Sequence, residues 1–447
     1  MPIKLLKSRK PLHTALLTAV LLASVSPLSN AAAASDSTVS YKQFLNDKYA
    51  ITLSDSLSKG DFVIAVNNIL KGEAKEQTNV FTDLQKDSPY YNAALALHEK
   101  GILSEGKLQG DQPLTQLQAT FIALKASGLQ ELAYTYPKDK IKAALAKVHI
   151  DYDQNNQLTL QAAQELAAAI DTGLVSSEFE ANTAASQSFA NDLLGKILTF
   201  NGQYKHYLGT TSDDDIFRKI NDAWHTEDLI SSADLRTVFD EALKKNLITG
   251  YNLKDSRFDA NFDPKQSLTY GHSDIKHAIQ LIGLLRSENI QAKVQLEPKT
   301  SAFIYLKEWG EPTQTEDYQV VQIENGNFIA YAKEYDIEFE FDNAEQKNKF
   351  QQVILQYAKK NSNDQTGLIY SSWWQPLYYS LSELKDYKVI ANNKVSKGHY
   401  YAQSFSLSDK SEEVVAGLKK INPGLNVDSY KFWVDEPFYN YLLGDFK

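Results

Sequence analysis

The side chains able to do chemistry in this 447-residue chain are few, and their spacing favours binding over catalysis. Cysteine is absent, which excludes disulfides, thiolate metal sites and thiol nucleophiles. His272 and His277 are five residues apart and would not share a helical face closely. With no further His, Cys or paired carboxylate at ligand spacing, no zinc set forms, and neither a metal nor a cofactor is expected. Asp151, Asp153 and Asn155 alternate oxygens like the start of a calcium loop. Asn156 stands where that loop needs glycine, however, and Ala162 where it needs a bidentate carboxylate, so a solvated turn is the stronger reading. Asp213, Asp214 and Asp215 precede an apolar helix and read as its caps, complementing the dipole. Glu334, Asp336, Glu338, Glu340 and Asp342 alternate with Ile337, Phe339 and Phe341, which predicts a strand with one wet face rather than a glycosidase carboxylate pair. Trp373, Trp374, Tyr378, Tyr379, Tyr400, Tyr401, Trp433, Tyr439 and Tyr441 crowd the C-terminal part, as core or as rings for stacking on sugars or packing at an interface.

The elements that must position these groups fall into two textures. From about Leu57 to Leu194 the chain is rich in Ala, Leu and Gln at helical spacing, as in Phe62, Ala65, Val66, Ile69 and Leu70, and in Ala162, Leu166, Ala169 and Ile170. From about Ala302, runs of β-formers appear at Ala302–Leu306, Tyr318–Ile323, Phe328–Ala332 and Ile337–Phe341, with Asn325-Gly326 as a hairpin turn and a helix over Ala344–Lys359. The chain opens with Lys4, Lys7, Arg9 and Lys10, an apolar stretch from Ala15 to Val25 and the run Ala31–Ala34, the order of a secretory signal peptide, with an uncleaved anchor as the alternative. Net charge is −10, and no basic stripe is present, which argues against a nucleic-acid partner. An acidic, cysteine-free composition rich in Tyr and Asn is common among exported proteins of Gram-positive bacteria.

A helix-start element recurs: Leu57-Ser58, Leu114-Thr115, Leu158-Thr159 and Leu268-Thr269, each hydroxyl placed to cap a following helix, with Asp61 and Gln118 completing capping boxes in the first two. Around the second copy run Phe81-Thr82-Asp83-Leu84, Ser88-Pro89-Tyr90-Tyr91, Lys100-Gly101-Ile102-Leu103, Gly106 and Pro113-Leu114-Thr115. This stretch, about Phe81 to Gly128, resembles the S-layer homology module. Leu57–Gly72 looks like the end of a preceding module, and Ile141–Gly173 like a degenerate following one. The resemblance implies attachment to the cell wall through acidic secondary polysaccharide, with Asp83, Tyr90, Tyr91, Thr115 and Gln116 at the glycan-binding positions. Gln116 replaces the family's arginine and Gln118 its glutamate, and a guanidinium is the natural partner of a pyruvyl carboxylate.

A second resemblance rests on Gly271-His272-Ser273-Asp274-Ile275 leading to Leu284-Leu285-Arg286-Ser287-Glu288-Asn289-Ile290-Gln291-Ala292. It is similar to the core helix of transglutaminase-like and papain-like domains. Ser273 stands at the thiol position, and the strand containing Ser301, where the family carries its histidine, has none. The resemblance therefore implies a catalytically inactive domain, since a serine hydroxyl needs a neighbouring base. The plain alternative is an amphipathic helix followed by a strand.

These readings predict an all-α, S-layer-homology-like N-terminal region followed by an α+β C-terminal domain: signal peptide at 1–34, linker at 35–55, helical modules at 56–180, helical connector at 181–235, and an α+β domain at 236–447 with an inactive transglutaminase-like core at 268–342. The expected function is that of a secreted, non-catalytic protein of the cell surface bound to wall polysaccharide. A second surface protein is the other candidate partner, and no transmembrane segment is expected after signal cleavage. A secreted enzyme with a degenerate transglutaminase-like domain, or a secreted binding protein without wall affinity, are the alternatives.

Overall fold

In a computed structural model, the described residues are 41–75, 78–154, 158–226, 229–307, 310–312, 314–357 and 378–444. The signal-like segment, Trp373, Trp374 and Asn155 to Gln157 lie outside them.

Among the described residues, eight helices precede the first strand: α1 (41–49), α2 (Lys59–Leu70), α3 (Tyr91–Glu99), α4 (Gln116–Ala126), α5 (Gln130–Tyr134), α6 (Lys138–Ala146), α7 (Leu160–Asp171) and α8 (Gln187–Phe200). Their apolar stripes share one core that runs from Phe44 and Phe62 through Leu114 and Leu166 to Leu198. The chain then continues as β1 (Gly209–Thr210), α9 (Ile216–Thr226), α10 (Ala233–Lys244), β2 (Gly250–Asp255), β3 (Ser267–His272), α11 (Ile275–Ser287), β4 (Ala292–Tyr305), β5 (Tyr318–Gln322), β6 (Phe328–Phe341), α12 (Ala344–Tyr357), β7 (Tyr378–Ser380), β8 (Lys388–Lys397), β9 (Tyr400–Ser406), α13 (Ser411–Ile421), β10 (Val427–Val434) and α14 (Glu436–Leu442).

The predicted architecture, an all-α region followed by an α+β domain, is overturned by the sheet. Strands β4, β2, β9, β8, β10, β7, β3 and β6 pair in that order, and β6 pairs back on β4, so the sheet closes into an eight-stranded antiparallel barrel. β1 and β5 extend its rim on β4 and β6. The closing ladder is long: β4 and β6 pair from Ala292↔Phe341 to Tyr305↔Phe328. Closure leaves these strands no free edge. The two runs expected at Phe328–Ala332 and Ile337–Phe341 are parts of one strand.

Two features of the alternation explain the barrel. Leu268, Tyr270, Val294, Leu296, Ile337 and Phe339 point outward and are covered by α9, α11 and α12, while Tyr251, Leu253 and Ala302 face α10 and α13. The intervening residues point inward. At one end they are apolar, with Phe303, Ala330, Phe405 and Phe432 meeting Phe438 and Tyr441 of α14. Elsewhere they are charged, and they are buried. The face expected to be wet, Glu334, Asp336 and Glu340, is 5%, 2% and 1% exposed because the sheet curls around it. Leu268-Thr269, expected to open a helix, is strand β3 instead.

Candidate functional site

In the helical unit the recurring starts converge. Ser58, Thr115 and Ser186 are the N-caps of α2, α4 and α8, each accepting a backbone N–H of the helix it opens. Asp61 and Gln118 close the first two capping boxes. The three starts are stitched together: Leu114 N–H donates to Leu57 C=O at 3.0 Å, and Ala185 N–H to Leu114 C=O at 2.7 Å. Helices α2, α4 and α8 pack against one another below this junction. Thr159 also caps its helix, α7, which packs on α4, α5 and α6. Sequence reasoning missed Ser186 because Ala185 takes the place of the leucine that marked the other copies.

The residues carried over from the module resemblance occupy different environments. The Asp83 carboxylate accepts the N–H groups of Leu108 at 2.8 Å and Gln109 at 2.9 Å. Desolvation opposes its charge, but these bonds and the nearby Lys107 hold its pKa below the ordinary value. Tyr90 lies against the backbone of Gly60 and Gly110, where an added Cβ would come within 2.5 and 2.4 Å of its ring. Gly60 N–H donates to Gly110 C=O, so the two glycines form one floor under that ring. Burial, with Asp111 and Asp83 nearby, pushes the Tyr90 pKa up. Lys59 stands in the field of Asp83; burial lowers its pKa and Asp83 offsets part of that effect. Tyr91 is buried in the core. Thr115 is consumed as a cap, and Gln116 Oε1 accepts Glu180 N–H at 2.9 Å, tethering the segment that leads to α8. Thus Asp83 and Tyr90 sit together with Lys59 and Lys107, while Tyr91, Thr115 and Gln116 serve the packing.

The barrel interior is a network of paired charges. Asp336 is its hub, accepting Lys299 Nζ at 2.6 Å, Lys254 Nζ at 2.8 Å and the Tyr379 hydroxyl at 2.9 Å. Desolvation raises its pKa, but the two ammonium groups prevail and hold it at about 2. Lys254 also binds Glu297 at 2.5 Å, and Glu297 accepts Ala260 N–H at 2.7 Å. Burial and the adjacent Glu297 keep Glu338 protonated far above the usual carboxylate range. Burial and Glu297 raise Asp259 to about 6, and Asp259 accepts the Tyr401 hydroxyl at 2.7 Å. The helical unit reaches in at this end. Lys48 of α1 donates to Asn261 at 3.1 Å and faces Glu338, Asp259 and Glu297, with burial lowering its pKa to about 8. Lys205 binds Glu340 at 2.8 Å, and Lys265 binds Asp47 at 2.5 Å. The β4–β6 part of this network had a legible signal: Lys293, Glu297 and Lys299 recur at even spacing on β4, in register with Glu340, Asp336 and Glu334 of β6.

The second set of predicted positions does not assemble. Ser273 is exposed in the turn before α11, whose N-cap is Asp274. Ser301 is buried on the inner side of β4, donating to Glu334. His272 and His277, expected to diverge, stack at 3.9 Å between ring centroids because the β3–α11 turn folds one over the other. Tyr270 hydrogen-bonds His277 Nδ1 at 3.0 Å, and Asp274 N–H donates to His272 Nδ1 at 2.9 Å. Asp213 accepts the N–H and hydroxyl of Thr210, while Asp215 pairs with Lys219 and Arg218 of α9. Asp153 pairs with Lys142 at 2.7 Å. Of the C-terminal aromatic rings, Tyr379 and Tyr401 belong to the barrel interior, and Tyr379 stacks on Phe432 at 4.3 Å. A polar cleft of about 930 Å³ separates the helical unit from the barrel, lined by Lys71, Glu73, Lys75 and Lys100 on one side and Asn426 and Asp428 on the other.

No family model and no curated protein matches this chain. Among the described residues no helix is long and apolar enough to cross a membrane.

Proposed function

We propose that this is an exported, non-catalytic protein of the cell surface, held on the wall by its helical unit through an acidic polysaccharide. The observation that supports this reading best is the cluster of Lys59, Lys107, Asp83 and Tyr90 beside the Gly60–Gly110 floor. The sequence lacks the arginine of the module pattern at Gln116, but two lysines stand near Asp83 and supply positive charge for a glycan carboxylate. An ammonium offers a point charge rather than a bidentate fork, which suits a weaker and less directional contact. A half-buried tyrosine ring next to a carboxylate is a reasonable platform for a sugar, pairing an apolar face with acceptors for hydroxyls. Asp336, Glu334, Glu340 and Asp259 are engaged by lysines and hydroxyls inside the barrel, which favours a structural role for them over a reactive one. Sedimentation of the mature protein with purified walls tests the proposal. The protein should pellet with intact walls and stay in solution once the acidic polysaccharide has been extracted. Equal sedimentation with both preparations, or with neither, would overturn it.

A further inference from the structure

A cavity of about 310 Å³ lies outside the barrel wall, between the segment that opens α10 and the β5–β6 hairpin. Its floor is apolar: Leu253 and Ala302 from the wall, Ile230 beside them, and Leu229 and Val321 at the lip. The last two are 46% and 44% exposed, so the apolar floor runs out to the surface. The tyrosines that line it are already committed. Both Tyr251 and Tyr331 donate to Asp240 Oδ1, at 2.6 and 3.1 Å, and so act as walls.

Three further features give the cavity its polarity. The Arg236 guanidinium lies 4.4 Å over the Tyr331 ring, with one long contact of 3.4 Å from Nε to Asp240 and a hydrogen bond to the Tyr331 hydroxyl, and its five N–H donors leave capacity for another acceptor. Thr300 Oγ1 is buried in the lining with no hydrogen-bond partner among the described residues. Glu316 and Asp317 stand on the hairpin side, and among the described residues neither is held in an ion pair.

We propose that this cavity binds a small apolar zwitterion, an α-amino acid with an aliphatic or aromatic side chain. The side chain rests on Leu253 and Ala302, the carboxylate takes Arg236 and the Thr300 hydroxyl, and the ammonium faces Glu316 and Asp317. The volume lies at the small end of the roughly 300–1,000 Å³ typical of ligand sites, which fits a single residue and not a polymer. A buried hydroxyl is costly to leave unpaired, and a ligand carboxylate would satisfy it. The site is separate from the cluster around Asp83 and does not depend on wall attachment.

Calorimetric titration of the full mature chain with L-leucine, L-phenylalanine, leucinamide, N-acetylleucine and L-serine tests the assignment. Leucine and phenylalanine should bind saturably. Leucinamide, N-acetylleucine and serine, each lacking one of the three matched groups, should bind at least about tenfold more weakly, the loss expected for one charge-assisted hydrogen bond or one buried apolar side chain. Arg236→Gln should weaken leucine by a similar factor and leave leucinamide unchanged. Thr300→Val, which keeps the shape, should weaken leucine several-fold. Absence of saturable binding by any apolar amino acid, or binding of leucine indifferent to Arg236→Gln in a variant with wild-type circular dichroism, would overturn the proposal.

Discussion

Replacing Asp336 with Asn keeps the size of the hub in the barrel and removes its charge. Lys254 would retain Glu297, but Lys299 would lose the only carboxylate within ion-pair distance of it among the described residues. Lys299 is 2% exposed, so its ammonium cannot turn to water. Orphaning one partner of a buried pair costs about 3–5 kcal/mol. For a unit of this size, at about 2–4 °C per kcal/mol, the barrel transition should drop by roughly 6–20 °C. Urea unfolding of the mature protein, followed by circular dichroism and by tyrosine and tryptophan fluorescence, measures the loss. The double variant Asp336→Asn with Lys299→Met removes the orphan and should recover at least half of it. A shift below about 1 kcal/mol for the single variant, or simple additivity in the double, would refute the picture of a dry, mutually dependent network.

Other outcomes follow from the same structure. Asp259 and Asp263 are raised to about 6, chiefly by burial, so between about pH 6 and 4 the folded chain holds protons that the unfolded chain has lost. Stability should therefore rise as pH falls from 7.5 to 4.5, then decline as pH drops through the ordinary carboxylate range toward 2, where the contribution of Asp336 disappears. A steady decline from 7.5 to 4.5 at constant ionic strength would contradict this. Ser301→Ala removes the donor to a buried carboxylate and should cost about 1–3 kcal/mol, whereas Ser273→Ala should stay within about 0.5 kcal/mol; denaturation midpoints compare them directly. Thr115→Ala breaks a reciprocal cap and should destabilise the helical unit by about 1 kcal/mol in the same assay.

Helix starts were legible because a capping hydroxyl leaves a local mark: Ser58, Thr115 and Thr159 each cap the helix expected of them. Leu268-Thr269 carries the same letters and forms a strand, since pairing with β6 and β7 outweighs a local preference. The barrel was hidden for a related reason. Alternation announces a strand with two unlike faces, but whether the polar face meets water or a second set of charges is decided by closure, a contact between residues such as Ala292 and Phe341 that no window of sequence contains. The opposing charges on β4 and β6 were visible in principle, as a pattern shared between two distant segments. At the candidate glycan site, Asp83 and Tyr90 follow from a resemblance, while Lys59 and Lys107 flank the pattern and carry no mark of their own in the sequence. Only the fold of the Gly106–Gly110 turn and the start of α2 bring them beside Asp83.

Wall attachment through the helical unit is tested most directly by titrating the purified acidic polysaccharide into the mature protein and into Lys59→Gln and Tyr90→Ala variants shown to be folded. The account predicts saturable binding that weakens with added salt and falls about tenfold or more in each variant. Binding of equal strength in all three proteins, or none in any, would contradict it.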